Sequence, residues 1–389
     1  MNLDLALVSF SLMVWGLGEG LFLIFQPLYL QQFGADPRLI GGILGSLGLA
    51  MAAAQVPAGY LADRLGARPL MWAAWIMGAA SAGIMAFAGS MPVYVAGLLL
   101  YSLTAYVSAP MNSYIADVRG RWSVSRAFTL TQASYFLGAV AGPALGGWIG
   151  GRYGLRSVYL VAFIVFIVSA CVVLFIRPQP KSATGHAGPA LRPHQSRAFL
   201  TLLPFFFLTT LATFLPQTLT PNYLQNQHGL DYNQIGQLGS IGSLGIVAIM
   251  LALGNLTPVV GMLAGQAAIG LFAAFLWKGT GMTWFAVGFA FSGGYRLSRS
   301  MALAFTRPIV PPGQTGFAFG LIELVNGAAL FLAPVIGGWL YSIQPEWLYT
   351  GSLLIGGGAF LLNLAFLPAK RRKIEAGLQD SLRLGSPKL

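Results

Sequence analysis

Four ionisable residues interrupt otherwise apolar stretches of this chain: Glu19, Arg296, Arg299 and Glu323. An unpaired charge at mid-bilayer costs about 2.5 to 3.5 kcal/mol or more, so each is expected to face a wet cavity or a partner. Arg296 and Arg299 stand three residues apart, hence on one helical face, where two guanidinium groups can clamp a carboxylate or phosphate. The competing reading has Arg299 reaching toward the membrane surface while Arg296 merely neutralises Glu323. Glu19 shares a face with Trp15, Phe22 and Gln26. A carboxylate in a low-dielectric cavity can bind and release a proton near neutral pH, so Glu19, with Glu323, is the expected proton-coupling site. Gln26, Gln132, Tyr135 and Asn326 are further solute-site candidates, with Tyr106, Gln217 and Tyr295 behind them. Any of these could instead hydrogen-bond a neighbouring helix.

Other chemistries lack their residues. The single cysteine, Cys171, supports neither a disulfide framework nor a thiolate metal cluster. His186 and His194 fall in a polar stretch, His228 stands alone, and no acid-rich motif offers metal or base chemistry to a lipid-active membrane enzyme. No phosphate-binding loop is present, so direct ATP drive is not expected. The chain is therefore read as a non-enzyme with neither cofactor nor metal, drawing on a proton gradient.

The elements that must hold these residues are membrane spans. Among 389 residues, 56% are apolar and 8% charged, whereas a soluble domain carries about a quarter charged residues. Charges punctuate spans because they are costly inside them. The first apolar stretch, from Leu5, is too long for a cleaved leader and is read as span one. Reading on between charges gives 39–62 for span two and 69–116 for spans three and four, broken at Ala88-Gly89-Ser90-Met91-Pro92. Windows 127–151 and 157–176 give five and six. Then 198–230 holds span seven, 232–277 holds eight and nine, divided near Gly254 to Pro258, and span ten runs from about Met282 to Arg307. Spans eleven and twelve occupy about 314–341 and 347–368.

The expected fold is thus all-α and integral to the membrane, with twelve transmembrane helices. Its units are an N-terminal six-helix bundle (1–176), a cytoplasmic linker (177–197), a C-terminal six-helix bundle (198–368) and a polar cytoplasmic tail (369–389). With both termini inside, 18 of the 22 basic residues fall on the cytoplasmic side if the embedded Arg296 and Arg299 are counted there, leaving only Arg38, Arg152, Arg156 and Lys278 outside, and the asymmetry holds without those two. This asymmetry accounts for the net charge of +12 without nucleic acid. The expected location is the plasma or inner membrane, the expected partners a small-molecule solute and the lipid bilayer, and the expected state a monomer.

An internal repeat sets the architecture. Ala127-Phe128, Leu130, Pro143 and Gly146-Gly147-Trp148 recur as Ala318-Phe319, Leu321, Pro334 and Gly337-Gly338-Trp339; Tyr29-Leu30-Gln31 recurs as Tyr223-Leu224-Gln225. Six spans per half give both halves the same orientation, related by a pseudo-twofold axis along the membrane normal, with a solute site between them. Glu323 aligns with Gln132, and the arginines align with Ala105 and Ser108, so the charged site belongs to one half only.

The segment Gly59-Tyr60-Leu61-Ala62-Asp63-Arg64-Leu65-Gly66-Ala67-Arg68, between spans two and three, resembles the loop signature of the major facilitator superfamily. Gly138, Gly142-Pro143 and Gly146-Gly147 resemble the glycine-proline signature of its antiporter branch. The resemblance implies a rocker-switch carrier with helices one, four, seven and ten around a central cavity. It departs at Gly254-Asn255-Leu256-Thr257-Pro258, where a repeated loop signature would carry an acid. Asp63 can cap span three while Gly59 and Gly66 allow close backbone approach, or Asp63, with Arg64 beside it at the gate, can latch the closed inner face by pairing with a base such as Arg121 or Arg126. Asp117 joins these as a gating residue. Small residues at four-residue spacing let helices approach closely. The Gly138, Gly142, Gly146 face and the Gly236, Gly239, Gly242, Gly245 face are expected to serve a seam between spans five and eight, with Gly41, Gly45 and Gly48 facing span eleven. The expected function is secondary active transport by alternating access: proton-coupled efflux of an amphipathic or anionic compound. Proton-coupled uptake of an organic anion or sugar is the alternative.

Overall fold

The computed structural model describes residues 2–178, 197–306 and 315–384. Arg307, most of the expected linker and the extreme C-terminus therefore lie outside the described residues, as do the Gly59 and Asp63 side positions. Twelve helical rods run through the rest: α1 (Leu3–Leu23, continued by Gln26–Gln32), α2 (Pro37–Leu65), α3 (Ala67–Phe87), α4 (Met91–Leu103 and Ser108–Val118), α5 (Val124–Tyr153) and α6 (Leu155–Leu174). The second bundle holds α7 (Leu203–Phe214 and Thr220–His228), α8 (Tyr232–Leu253), α9 (Pro258–Lys278), α10 (Met282–Ala290 and Gly294–Thr306), α11 (Thr315–Ile343) and α12 (Trp347–Leu384). Ten of the rods are long and apolar enough to cross a membrane. The other two are α5, whose glycines dilute its hydropathy, and α10, whose two pieces are each shorter than a span. The architecture is two six-helix bundles.

The rods start and stop where local chemistry dictates. Ser123 caps α5 by accepting from the Arg126 amide at 3.2 Å. Asp231 and Gln234 form a reciprocal capping box at α8 (2.8 and 3.0 Å), satisfying amides that would otherwise be orphaned. Gly66 joins α2 to α3 with φ +80°. A Cβ there would meet nothing within 4 Å, so Gly66 serves the left-handed turn and not the close approach expected of it.

The four rods α1, α4, α7 and α10 are all interrupted near their middles, where continuous spans were expected. α1 breaks between Leu23 and Gln26, α4 passes through a 3-10 turn at Thr104–Val107, α7 through another at Leu215–Gln217, and α10 opens at Phe291 to Gly293. Pro216 and Pro221 withhold backbone donors from α7, and Ser292-Gly293-Gly294 weakens α10. At the C-terminus the backbone of α12 stays helical to Leu384, through the stretch expected to be a polar tail.

Glycine faces fix the packing, and one differs from expectation. A Cβ at Gly138, Gly142 or Gly146 would collide with backbone of Met13, Gly20 and Leu21, so this face packs α5 on α1 within its own bundle. The seam to α8 is carried instead by Pro143 and Gly147, which meet Gly236 and Gly239. Positions 143 and 147 lie about 100° round the helix from 142 and 146, so one glycine-rich rod presents two separate close-packing faces. Gly242 and Gly245 turn to α10, against Ser292 and Ala290. Gly41, Gly45 and Gly48 of α2 do meet α11, at Pro334, Phe331 and Leu330.

The hydrogen bonds between the bundles gather at the end away from the termini. Gln31 accepts from Asn222 at 2.6 Å and exchanges bonds with Asn226 at 3.0 and 3.1 Å. Gln32 donates to the Tyr232 hydroxyl at 2.7 Å and Arg38 to the Ser342 hydroxyl at 2.9 Å. That end of the interface is shut.

Candidate functional site

The interrupted rods bring the membrane-embedded charges to the interface between the bundles. Glu19 sits on α1, half-buried, and its carboxylate accepts from the Tyr135 hydroxyl of α5 at 2.9 Å. Close packing at Gly16 and Gly138 makes this possible, because it draws the α1 and α5 backbones together beside the pair. Trp15 and Tyr101 also border the carboxylate. From the opposite bundle, Arg296 of α10 lies within electrostatic reach of Glu19 and Tyr135, its guanidinium 5.7 Å from the centre of the Phe136 ring. Arg296 is exposed, and its guanidinium, which also reaches the Tyr135 hydroxyl, carries more donors than that one contact uses. An acid, a phenol and a guanidinium therefore face one another across the two bundles.

The two arginines divide their work. Arg299 forms a salt bridge with Glu323 of α11, with side-chain exposures of 31% and 20%. It is Arg299 and not Arg296 that neutralises Glu323. A pair held inside one bundle moves with it as a unit, whereas Arg296 looks across the interface. Of the two carboxylates, Glu19 is thus the one at the junction. The four embedded charges sum to zero, so a charged guest or a proton changes the balance of the site.

The remaining candidates separate into lining and packing groups. Gln132 is exposed and lies one turn before Tyr135 and Phe136, on the face of α5 between its contacts to α1 and α8. That places it on the cleft rather than on the lipid side, where Leu137, Leu145 and Trp148 point. Gln26 is buried beyond the break in α1. Asn326 is buried and accepts from the Thr210 hydroxyl at 2.7 Å, holding α11 to α7. Tyr106 donates to the Leu70 carbonyl at 3.0 Å and holds α4 to α3, whereas Gln217 donates within its own rod to the Thr213 carbonyl at 2.9 Å. Tyr295 packs on Phe214 beside Arg299. At the terminal end, Arg64, Asp117, Arg121 and Arg126 are exposed, and the Arg126 guanidinium lies over the Trp122 ring at 4.8 Å.

Sequence reasoning missed the polar lock of Gln31, Asn222 and Asn226. The repeated Tyr-Leu-Gln triplets marked the helix ends that carry it, but a repeat gives equivalence and not contact. It also missed Tyr101, because a lone tyrosine in an apolar run carries no signal of its own.

Comparisons with known proteins agree with this architecture. The tetracycline resistance protein, class B, of Escherichia coli is 25% identical over 232 residues, covering 57% of this chain and 58% of that protein. The class G tetracycline resistance protein of Vibrio anguillarum is 35% identical over 147 residues, 36% of this chain and 37% of that one. The matched stretches thus span 58% or less of the length of these curated relatives. Among solved structures, the nucleoside transporter NupG superposes with a TM-score of 0.76 at 17% identity, over 95% of this chain and 99% of that one. The human organic anion transporter MFSD10 gives 0.67 at 16% identity, over 93% and 100%. At such identities the likeness is one of fold. The family model of the Major Facilitator Superfamily matches residues 8–261, reaching from the first helix into the second bundle, and the chain belongs to that superfamily.

Proposed function

We propose that the protein is a secondary active transporter of the cell membrane, with both termini cytoplasmic, that exports a small amphipathic or anionic compound in exchange for protons. The observation that carries this reading is the Glu19 carboxylate at the bundle interface, bonded to Tyr135 and faced by Arg296 of the other bundle. In the empty, unprotonated carrier, opposite charges on the two bundles attract across the cleft. A proton on Glu19 removes one side of that attraction, and an anionic guest at Arg296 satisfies the other. A carrier held when empty and released by either cargo exchanges one for the other. Membership of the superfamily and the tetracycline resistance relatives support transport and the outward direction. On this reading Asp63 and Arg64, with Asp117, Arg121 and Arg126, form the cytoplasmic gate.

The exposed guanidinium of Arg296 favours a second reading, proton-coupled uptake of an organic anion, in which proton and solute load together. Flux in everted and right-side-out vesicles, under an imposed pH gradient and with a panel of tetracyclines, organic anions and sugars, separates the two. Efflux requires accumulation in everted vesicles when their lumen is acidic. Uptake driven by an acidic exterior of right-side-out vesicles replaces exchange with co-transport, and flux indifferent to the gradient removes proton coupling altogether.

A further inference from the structure

The two bundles differ at one internal position, which in the first bundle borders the Glu19 carboxylate through Trp15 and in the second lies apart from it. In the first bundle Trp15 of α1, Trp75 of α3 and Phe166 of α6 form an aromatic plug, with Trp15 centred 5.2 Å from Trp75 and 4.5 Å from Phe166. The indole N–H of Trp75 donates to the buried hydroxyls of Ser11 and Ser169 at 2.7 and 2.9 Å. The equivalent positions follow from the repeat. Trp15 precedes Tyr29 by as many residues as Thr209 precedes Tyr223; Trp75 and Gln266 stand at the same position in α3 and α9. Phe166 lies two turns after Tyr159, which stacks on Tyr29, and Gly356 two turns after Tyr349, which packs on Tyr223. The plug is thus replaced by Thr209, Gln266 and Gly356.

A cavity of about 260 Å³ lies beside these residues between α7, α9 and α12, lined by Gln266 and Gly356 and, on α7, by Ala212, Thr213 and Pro216. Its lining is apolar except for a few groups, chief among them Gln266. Gln266 is 6% exposed, and its amide nitrogen reaches the Thr209 hydroxyl at 3.4 Å. Its amide oxygen has no hydrogen-bond partner. A buried acceptor left without a donor is costly, so the oxygen calls for a guest O–H or N–H. The mouth opens toward lipid: Ala267 shares a helix face with exposed Leu271, and Gly357 with exposed Leu354 and Leu361. No lining residue carries a charge. An apolar cavity of about 150 Å³ holds benzene, so this one holds a body of about ten carbons.

We propose that this pocket is a second binding site, for a neutral amphipathic alcohol dissolved in the bilayer, whose hydroxyl donates to Gln266 while its chain fills the cavity beside Gly356. The site is separate from the Glu19 and Arg296 cleft and stands whatever the solute of that cleft is.

The test is photolabelling of the full chain in lipid nanodiscs with a diazirine-bearing ten-carbon alcohol, the labelled peptides being mapped by mass spectrometry. Labelling is expected on α9 and α12 and not on α3 and α6. Decan-1-ol should displace it roughly five- to tenfold better than decane, the discrimination one hydrogen bond gives. Gly356→Phe, at a position where an added Cβ meets nothing within 4 Å, should abolish labelling, with unchanged size-exclusion elution showing that the variant folds. Gln266→Leu, nearly isosteric, should keep labelling but make alcohol and alkane compete equally. Absent labelling of α9 and α12, labelling that survives Gly356→Phe, or equal competition by decane in the unaltered protein would each overturn the proposal.

Discussion

The glycine seams make the shut end of the interface sensitive to a single methyl group. At Gly41 of α2 a Cβ would press into the Pro334 carbonyl of α11 and sit 3.1 Å from the Gly338 Cα, all backbone atoms of the opposite bundle. Backbone cannot rotate aside as a side chain can, so Gly41→Ala must push the two bundles apart at that end. Overpacking of this kind costs about 1 to 3 kcal/mol. The cost falls on the shut arrangement alone, because the collision disappears once the seam opens. The ratio of shut to open carriers should therefore fall by roughly 5- to 150-fold. The adjoining Gly42 is the control: its Cβ would meet nothing within 4 Å, so Gly42→Ala carries the same change in helix propensity without the collision. Spin labels at Leu39→Cys and Ile343→Cys, both exposed and on opposite bundles at that end, report the separation in a Cys171→Ser background. Electron–electron distance measurement should show a new, longer population for Gly41→Ala and none for Gly42→Ala. An unchanged distribution, or the same change in both variants, would refute the reasoning.

Further outcomes follow from the remaining contacts. Arg299→Ala and Glu323→Ala should couple in a double-mutant thermal-stability cycle by about 1 to 2 kcal/mol, between the values for exposed and buried ion pairs; additive effects would show that the bridge does not hold α10 to α11. Trp75→Phe strips two buried serine hydroxyls of their indole donor and should cost about 1 to 2 kcal/mol in detergent unfolding, most of which Ser11→Ala in the same chain should mask. Arg296→Gln should weaken binding of anionic solutes about tenfold or more, the loss of a charge-assisted hydrogen bond, while leaving neutral solutes nearly unaffected. Equal loss for both would assign Arg296 to structure.

What the sequence made legible was whatever charge and repetition mark. The breaks at Pro92 and Pro258 lie at rod starts because a proline after a polar turn opens a helix, and the rods themselves lie between charges because charge is expensive in lipid. The central interruptions of α1, α4, α7 and α10 were missed, although local residues mark them. Pro27, Pro110 and Pro221 leave the carbonyls of Leu23, Tyr106 and Gln217 without their helical donors, and Gly293-Gly294 loosens α10, but prolines inside apolar runs read as parts of continuous spans. Gly138, Gly142 and Gly146 announced a close-packed face, but a stripe of small residues does not name its partner, and α1 was nearer than α8. The spacing of Arg296 and Arg299 placed them on one side of α10, yet a three-residue step still separates them by about 60°. That angle sends one guanidinium to Glu323 inside its bundle and leaves the other for the cleft.

The most direct test of the account is the movement of protons that accompanies solute, followed with a pH-sensitive dye inside proteoliposomes. With an outward solute gradient and no imposed pH difference, the unaltered protein should move protons against the solute's direction, and Glu19→Gln should abolish that movement while retaining solute-for-solute exchange. Proton movement that persists unchanged in Glu19→Gln, or solute flux with none in the unaltered protein, would contradict the assignment of this carboxylate as the coupling group.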